Sequence, residues 1–176
     1  MGICILAKIL NILMIMQCTI RPIKATDNTR LARVLRQILI EFGVPKQGTA
    51  YADPELDAMF ETHTKSKHAY WVVECDGELL GGAGIAPLQE SKSHVCELQK
   101  MYFDAKARGQ GLGKKMIVKL LELAKNFGFS LCYLETMLSM HAAQKMYVAN
   151  GFSYINATMA NTGHYSCPVW MTKSLV

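Results

Sequence analysis

Hydrophobic positions from Cys18 to the C-terminus follow either a helical or an alternating pattern. Residues 18–23 predict a first strand. An amphipathic helix is predicted to follow Asp27, a suitable N-cap, and to end at Gly43 and Pro45. Its apolar positions are Leu31, Val34, Leu35, Ile38, Leu39 and Phe42.

A second, shorter helix is predicted to begin at Asp53 and Pro54, because Asp caps helices and Pro is tolerated in the first helical position. Its apolar side consists of Leu56, Met59 and Phe60. Residues 69–75 and 78–88 predict two strands joined by an Asp-Gly dipeptide, which is typical of a two-residue hairpin turn. These two strands are therefore predicted to be antiparallel.

The C-terminal half continues the alternation of strands and helices. The predicted elements are a strand at 95–103, a helix from about 109 to 126, a strand at 130–137, a helix at 142–150, and strands at 152–155 and 167–175. The order β-α-α-β-β-β-α-β-α-β-β favours a mixed α/β fold, antiparallel at the front and with a right-handed βαβ crossover in the middle. Residues 17–176 contain no linker or repeat, so a single domain is predicted.

The strand at 95–103 interrupts strict alternation, because Leu98 falls on the opposite face from Met101 and Phe103 although all three are apolar. A β-bulge near residues 99–100 would return them to one face and bend the strand. The alternative is that one of the three packs under a helix on the second face.

Composition and charge narrow the function classes. The chain of 176 residues is 51% hydrophobic and 19% charged, which excludes intrinsic disorder. The net charge of +5 suits an anionic small molecule. The sequence has no long Lys/Arg run and no helix-turn-helix signature, so nucleic-acid binding is not expected. The six cysteines are scattered without a Cys-x-x-Cys pair, which predicts buried thiols in a reducing cytosol.

The first sixteen residues are almost wholly apolar, but Lys8 and Asn11 interrupt a run that is shorter than a bilayer requires. The segment also lacks the basic start and the small-residue cleavage site of a secretory signal, and Leu6 stands where myristoylation needs Ser or Thr. We therefore expect no membrane partner, a cytoplasmic location, and a dispensable extension at residues 1–16. The alternative is an element that covers an apolar surface, for example between subunits.

The most informative segment is Ala-Arg-Gly-Gln-Gly-Leu-Gly-Lys-Lys at 107–115, between a predicted strand and a predicted helix. Its three glycines allow a tight turn and close approach of a ligand, while the helix start presents unpaired N–H groups. This combination predicts a pyrophosphate-binding site. A P-loop would need Gly at Arg108 and Ser or Thr at Lys115, and the dinucleotide fingerprint would need its last Gly at Lys114.

Residues 108–113 instead resemble the R/Q-x-x-G-x-G/A signature of the GNAT superfamily of acetyl-coenzyme A-dependent N-acetyltransferases. The segments ELQKMYF, YLETM and AAQKMYVANGF are similar to the family's successive segments in order and spacing, so that the resemblance covers roughly residues 18–176. It implies the GNAT fold: a central, mostly antiparallel mixed sheet with splayed central strands and a β-α-β core that binds acetyl-CoA.

The resemblance implies acetyl-CoA as cosubstrate; no metal is expected. Loop amides would bind the pyrophosphate, basic side chains would add positive charge, and backbone groups of the bent strand would pair with the pantetheine arm. The implied cofactor-binding residues are Met101, Phe103, Arg108, Gly109, Gln110, Gly111, Leu112, Gly113, Lys114 and Lys115.

Two side chains would take part in catalysis. Glu97 matches the family's general-base carboxylate; the alternatives are that it orients the amine or is an ordinary strand-end charge. Tyr147 matches the tyrosine that faces the coenzyme sulfur and would stabilise the leaving thiolate, unless it is a core tyrosine. Met140 stands where many relatives carry an Asn that contacts pantetheine, so Ser139 or Thr136 would replace that contact.

The expected activity is acetyl transfer to a primary amine by direct attack in a ternary complex; the alternative is a non-catalytic acyl-CoA sensor. The acceptor stays open among polyamine, amino acid, aminoglycoside and protein N-terminus, with His164 and Tyr165 as candidate contacts. The spacing of His63 and His68, without a second ligand pair nearby, argues against zinc. A homodimer is compatible with the resemblance, although the sequence does not establish it.

Overall fold

A computed structural model of the chain describes residues 16–89 and 91–176. The strands are β1 (Cys18–Pro22), β2 (Ala69–Cys75), β3 (Glu78–Pro87), β4 (Val95–Phe103), β5 (Leu131–Thr136), β6 (Ser153–Ile155) and β7 (Val169–Ser174). The helices are α1 (Asn28–Glu41), α2 (Met59–His63), α3 (Leu112–Asn126) and α4 (His141–Ala149), with short 3-10 turns between several elements. This order confirms the predicted succession of elements.

The strands form one seven-stranded sheet in the order β1-β2-β3-β4-β5-β7-β6. The β4–β5 pair is parallel, whereas the other five pairs are antiparallel. Helix α3 connects the two parallel strands, which confirms the predicted βαβ crossover. The mixed, mostly antiparallel sheet is therefore the one expected from the sequence.

The two faces of the sheet are covered by different helices. On one face, Leu112, Met116 and Tyr147 of α3 and α4 join the largest apolar cluster. On the other, α1 contributes Leu31 and Leu35 to a second cluster. The burial of Leu31 and Leu35 confirms the amphipathic pattern predicted for α1.

The bulge predicted in β4 is present. Gly82 lies opposite Tyr102 and Gly84 opposite Gln99, so Lys100 and Met101 together face a single residue of β3. Lys100 has a φ of 49°, in the left-handed region. The extra residue keeps Leu98, Met101 and Phe103 against one apolar cluster and turns the lysine to the opposite side.

Strands β4 and β5 pair only through Val95–Glu97 and Leu131–Tyr133. Beyond Glu97, the β5 side of β4 has no strand partner among the described residues. This is the splay between the central strands that the resemblance implies. It leaves the bent half of β4 open on one edge.

The second predicted helix differs from expectation, because the chain forms a 3-10 turn at Pro54–Asp57 and then the five-residue α2. Asp53 occupies the N-cap position but makes no capping hydrogen bond. Its carboxylate binds Lys100 and His164 instead. Tertiary ion pairs thus replace the local cap.

The prediction that all six cysteines are thiols is wrong, because Cys18 and Cys75 form a disulfide. The two residues are directly opposite in the β1–β2 pair, with Cα atoms 4.0 Å apart. Strand register brings them together across 57 residues, so no local spacing signals the bond. Cys96 and Cys132 are buried thiols as predicted, and the cytoplasmic location stays a prediction.

Residues 1–15 of the predicted extension lie outside the described residues. The single domain predicted for residues 17–176 stays a prediction as well. Within the part of the chain that the structure describes, none of the helices combines the length and the apolar character needed to cross a bilayer.

Candidate active site

The glycine-rich segment forms a turn that exposes backbone amides at the start of α3. Gly109 and Gly111 have φ angles of 75° and 73°, which glycine adopts without the steric cost of a side chain. In residues 16–89 and 91–176, the amides from Gly109 to Lys114 have no backbone acceptor. With the helix dipole, they form a site suited to an anion such as a diphosphate.

This turn opens into a cleft of about 480 Å³. The cleft runs from Gly109, Gly111 and Lys114 along β4 to the start of α4. A side chain at Gly113 would bring its Cβ within 2.9 Å of Met146 Sδ, so glycine allows α3 and α4 to approach closely here. The cleft is therefore lined by eight of the ten residues predicted for coenzyme binding, the exceptions being Gln110 and Lys115.

The predicted basic residues are placed differently from one another. Lys114 lines the cleft, whereas Lys115 faces a neighbouring surface with Lys119. The Arg108 guanidinium donates to both carboxylate oxygens of Glu41, at 2.6 and 2.7 Å. Lys114 is thus the basic side chain at the cleft that lacks an ion-pair partner within the described residues.

The Arg108 side chain also organises the wall of the cleft. Its Nε donates to the Phe103 carbonyl at 2.7 Å, and its guanidinium lies 4.6 Å from the centre of the Phe42 ring. Phe42 is 39% exposed although it continues the apolar face of α1. Gln110 turns away, with its amide nitrogen bonded to the Lys106 carbonyl.

The bent half of β4 forms the floor of the cleft. Met101, Tyr102 and Phe103 all line it, and Met101 and Phe103 also pack against the large apolar cluster. Because β5 does not pair with this half of β4, its backbone groups on that edge are open to an extended ligand.

Tyr147 lies at the inner end of the cleft. The residue is 6% exposed, packs in the large apolar cluster and lines the cleft. Burial raises the pKa of its hydroxyl above the usual value, so it stays protonated at neutral pH. No group in the described residues hydrogen-bonds to that hydroxyl, which leaves its proton available to a ligand.

The residues expected to replace the missing asparagine lie at the start of α4. Ser139 and Met140 line the cleft. Thr136 is buried, and its hydroxyl is directed to Met140 Sδ at 3.6 Å. Ser139 is therefore better placed than Thr136 to contact a ligand in the cleft.

Glu97 borders a second cavity, of about 210 Å³. It is the last residue of β4 that pairs with β5, so it stands where the two strands separate. The side chain is buried and accepts one hydrogen bond, from Gln99 Nε2 at 2.7 Å. Burial raises the pKa of the Glu97 carboxyl above its usual value, which makes it a stronger base than an exposed glutamate.

The same cavity contains an ion-pair network that the sequence did not reveal. Lys100 Nζ lies 2.9 Å from Asp53 and 3.3 Å from Glu55, and its side chain is only 4% exposed. Burial opposes the charge of Lys100, but the two carboxylates outweigh it and raise the pKa of the ammonium. A lysine at the break in the alternation of β4 was the signal that could have identified it.

His164 completes the network from the loop between β6 and β7. Its Nε2 lies 3.2 Å from both carboxylate oxygens of Asp53. Burial disfavours the charged imidazolium, but Asp53 outweighs this effect and raises the pKa of His164. Burial likewise disfavours the Asp53 carboxylate, yet hydrogen bonds from His164 and Lys100 lower its pKa to about 2.

His164 and Tyr165, the predicted acceptor contacts, have different surroundings. His164 borders the Glu97 cavity and an adjoining one, whereas Tyr165 borders only the adjoining one and is 79% exposed. Glu135, also in the adjoining cavity, accepts hydrogen bonds from Tyr133 and Thr162. Among the described residues, no group of three or more His, Cys, Asp or Glu side chains is arranged to hold a metal ion.

The arrangement places a protonated phenol and a basic carboxylate in two cavities that both border β4. The cleft with Tyr147 can hold a long phosphate-bearing ligand, because its outer end presents free amides. The cavity with Glu97 is small, polar and charged. Gln99 and Lys100 line the small cavity and Met101 lines the cleft, so successive residues of β4 border one site that suits an amine and one that suits a thioester.

Known proteins share the sequence pattern and the fold. Residues 33–152 match the acetyltransferase (GNAT) family. The N-acetyltransferase YjgM of Escherichia coli is 44% identical over 156 residues, which cover 88% of this chain and 93% of the relative.

Two solved structures have the same architecture. A GNAT-family acetyltransferase of Staphylococcus aureus covers 91% of this chain and 100% of its own, with a TM-score of 0.80 and 20% identity. The PaiA N-acetyltransferase of Thermoplasma acidophilum, solved with coenzyme A, covers 90% of this chain and 99% of its own, with a TM-score of 0.70 and 18% identity.

Proposed function

Because the chain belongs to the acetyltransferase (GNAT) family, we propose that this acyltransferase moves an acetyl group from acetyl-CoA to a primary amine by direct attack in a ternary complex. The observation that carries the proposal is the cleft that links the free amides at the start of α3 to the buried Tyr147. Glu97, in the neighbouring cavity, supplies a base where β4 and β5 separate.

The cleft fits a coenzyme A ester in its charge and in its open strand edge. The amides from Gly109 to Lys114 would hold the diphosphate, with Lys114 adding positive charge. The pantetheine arm would pair with backbone groups of Met101–Phe103, on the edge of β4 that lacks a strand partner. The coenzyme A in the Thermoplasma structure supports this choice of cosubstrate.

Glu97 would accept a proton from the acceptor amine, directly or through a water molecule. The uncharged amine nitrogen then forms a bond to the carbonyl carbon of the acetyl group, and the carbon–sulfur bond breaks. A glutamate with an ordinary pKa of about 4.3 is a poor base for an amine with a pKa near 10. Burial of Glu97 reduces this mismatch by raising the pKa of its carboxyl.

Tyr147 would stabilise the sulfur that leaves. Its hydroxyl is buried and protonated, and it can donate a hydrogen bond to the thiolate as negative charge develops. Tyr147 gives its proton to the leaving sulfur, so that coenzyme A leaves as the neutral thiol, and the extra proton on the newly bonded nitrogen restores the Tyr147 hydroxyl. Glu97 releases its own proton to solvent. Holding both substrates in adjacent cavities supplies the rest of the rate enhancement through proximity.

The test measures release of the coenzyme thiol over a panel of primary amines, for wild type, Glu97→Gln and Tyr147→Phe. Two matched controls, Glu122→Gln and Tyr154→Phe, change exposed residues of the same types. We expect kcat/KM to fall about 100-fold or more in the two site variants, since positioned acid–base groups contribute that much. Acetyl-CoA affinity, measured by isothermal titration, should stay within about twofold.

Full activity in both site variants would contradict the assigned roles. Tight acetyl-CoA binding without thiol release on any amine would instead indicate a non-catalytic acyl-CoA sensor. Loss of activity together with loss of coenzyme binding would assign the residues to binding and not to proton transfer.

A further inference from the structure

The Glu97 cavity is lined by two basic side chains, the buried Lys100 and the partly buried His164, which the proposed proton transfer does not use. Building on the proposed function, we propose that the acceptor is a small free amino acid: its amine faces Glu97, and its carboxylate is held by Lys100 and His164. The inference concerns the substrate class of that same site.

Lys100 is placed in the cavity at a structural cost. Its side chain is 4% exposed, and its backbone adopts a φ of 49° at the bulge of β4. A non-glycine residue in the left-handed region of φ and a buried charge both cost free energy. Features of this kind are concentrated at functional sites. The bulge turns the ammonium away from the apolar cluster and into the cavity.

Lys100 retains hydrogen-bonding capacity for a ligand. An ammonium group has three N–H donors. Within the described residues, two acceptors lie near Nζ, Asp53 at 2.9 Å and Glu55 at 3.3 Å. The third donor can bind a carboxylate, and a charge-assisted hydrogen bond of this kind is stronger than one between neutral groups.

His164, which lines both the Glu97 cavity and the adjoining one, offers a second hydrogen-bond donor. Its Nε2 is held by Asp53 at 3.2 Å, and its Nδ1 lies 3.9 Å from Glu135, beyond hydrogen-bond distance. In the portion of the chain that the structure describes, Nδ1 has no hydrogen-bond partner. When the imidazole is protonated, Nδ1–H can donate to a ligand carboxylate that reaches the border of the two cavities, which His164 lines on both sides.

The carboxylates of the cavity are occupied to different degrees. Asp53 is bound by both Lys100 and His164, whereas Glu97 is bound by the neutral Gln99 amide. An incoming ammonium therefore finds its least neutralised buried partner at Glu97.

The size of the cavity agrees with a small zwitterion. Its volume is about 210 Å³, below the roughly 300–1,000 Å³ that is typical for drug-sized ligands. A molecule that carries an amine and a carboxylate would place opposite charges against opposite charges. The adjoining cavity, of about 580 Å³, shares Thr162 and His164 with the Glu97 cavity, so discrimination against a larger acceptor depends on the carboxylate contact and not on volume.

The experiment compares matched acceptors in wild type and in Lys100→Met, which keeps the length of the side chain and removes its charge. The acceptors are the twenty common amino acids, the uncharged amide of the best one, and a diamine of similar length. Wild type should use the amino acid with a kcat/KM about 10- to 100-fold above that of its amide. Lys100→Met should raise KM for the amino acid by a similar factor and leave KM for the amide nearly unchanged.

Two controls separate misfolding from the loss of a contact. Lys125→Met removes an exposed lysine of α3 and should alter neither KM. Acetyl-CoA affinity of Lys100→Met should equal that of wild type. His164→Gln provides a second variant of the site and should lower the preference for the amino acid over the amide.

The outcomes distinguish this inference from the proposed function. Turnover of the amide or the diamine equal to that of every amino acid overturns the acceptor class but leaves acetyl transfer intact. An equal rise in KM for the amino acid and its amide in Lys100→Met also overturns the acceptor class and leaves acetyl transfer intact. Absence of turnover with any amine contradicts the proposed function and the acceptor class together.

Discussion

The buried ion pairs around Asp53 predict a measurable loss of stability in Asp53→Asn. This substitution removes the negative charge that faces Lys100 at 2.9 Å and His164 at 3.2 Å. The lysine then keeps only Glu55, at 3.3 Å, as a charged partner among the described residues. Removing one partner from a fully buried pair costs about 3–5 kcal/mol, because the other charge stays buried without compensation.

The magnitude can be bounded from the pKa of Asp53. A decrease from 3.8 to about 2 corresponds to about 2.4 kcal/mol of stabilisation. We reduce this to about 1–2 kcal/mol because the carboxylate is partly open to solvent, which screens the interaction. With the added cost of the undercompensated lysine, we expect the free energy of unfolding to fall by about 2–3 kcal/mol.

Urea unfolding at a series of pH values is the assay. The stabilisation from the lowered pKa of Asp53 is present above its unfolded pKa of 3.8 and is lost as the pH falls through about 2. The pKa of His164 is raised, so its contribution is full below 6.5 and is lost as the pH rises through the folded-state pKa. The difference in the free energy of unfolding between wild type and Asp53→Asn should therefore be largest between pH 3.8 and pH 6.5.

Asp57→Asn is the matched control, because it makes the same change in the exposed Arg36–Asp57 pair. Such a surface pair contributes little, so we expect a change below about 0.5 kcal/mol. If Asp53→Asn and Asp57→Asn have equal, small effects at all pH values, the buried network does not stabilise the fold. A Lys100→Met background should also remove most of the effect of Asp53→Asn.

Three further outcomes are expected. Reduction of the Cys18–Cys75 disulfide should lower the free energy of unfolding by about 2–4 kcal/mol, as measured with and without reductant, and the Cys18→Ala/Cys75→Ala double variant should not respond to reductant. Gly111→Ala should cost about 1–2 kcal/mol through its φ of 73° and weaken acetyl-CoA binding in calorimetry, whereas Gly128→Ala, at 84°, should cost as much without affecting binding. In wild type, kcat/KM should fall as the pH drops through the raised pKa of Glu97, and Glu97→Gln should lack that limb of the profile.

Local patterns were sufficient to predict most of the fold. The helical spacing of α1, the Asp-Gly turn between β2 and β3, and the interrupted alternation of β4 each correspond to the observed element. Hydrophobic periodicity and turn chemistry act over a few residues, so the sequence reports them directly. The glycine-rich turn was recognisable for the same reason, because its positive φ angles require glycine at specific positions.

Features that depend on distant pairing were not predictable in this way. The Cys18–Cys75 bond depends on the register of β1 and β2. In the sequence Asp53 resembles an ordinary N-cap, and only the fold shows its contact with His164, which lies 111 residues further along the chain. The charged network of the Glu97 cavity is assembled from three separate segments of the chain. Sequence identifies the residue types there, but only the fold shows that they meet.

A crystal structure of the protein with acetyl-CoA tests the central claim most directly. The account predicts the diphosphate within about 3 Å of the amides between Gly109 and Lys114. It also predicts the thioester sulfur within hydrogen-bond reach of the Tyr147 hydroxyl, with the acetyl group near the Glu97 cavity. A coenzyme bound elsewhere, or one whose sulfur points away from both side chains, would contradict the account.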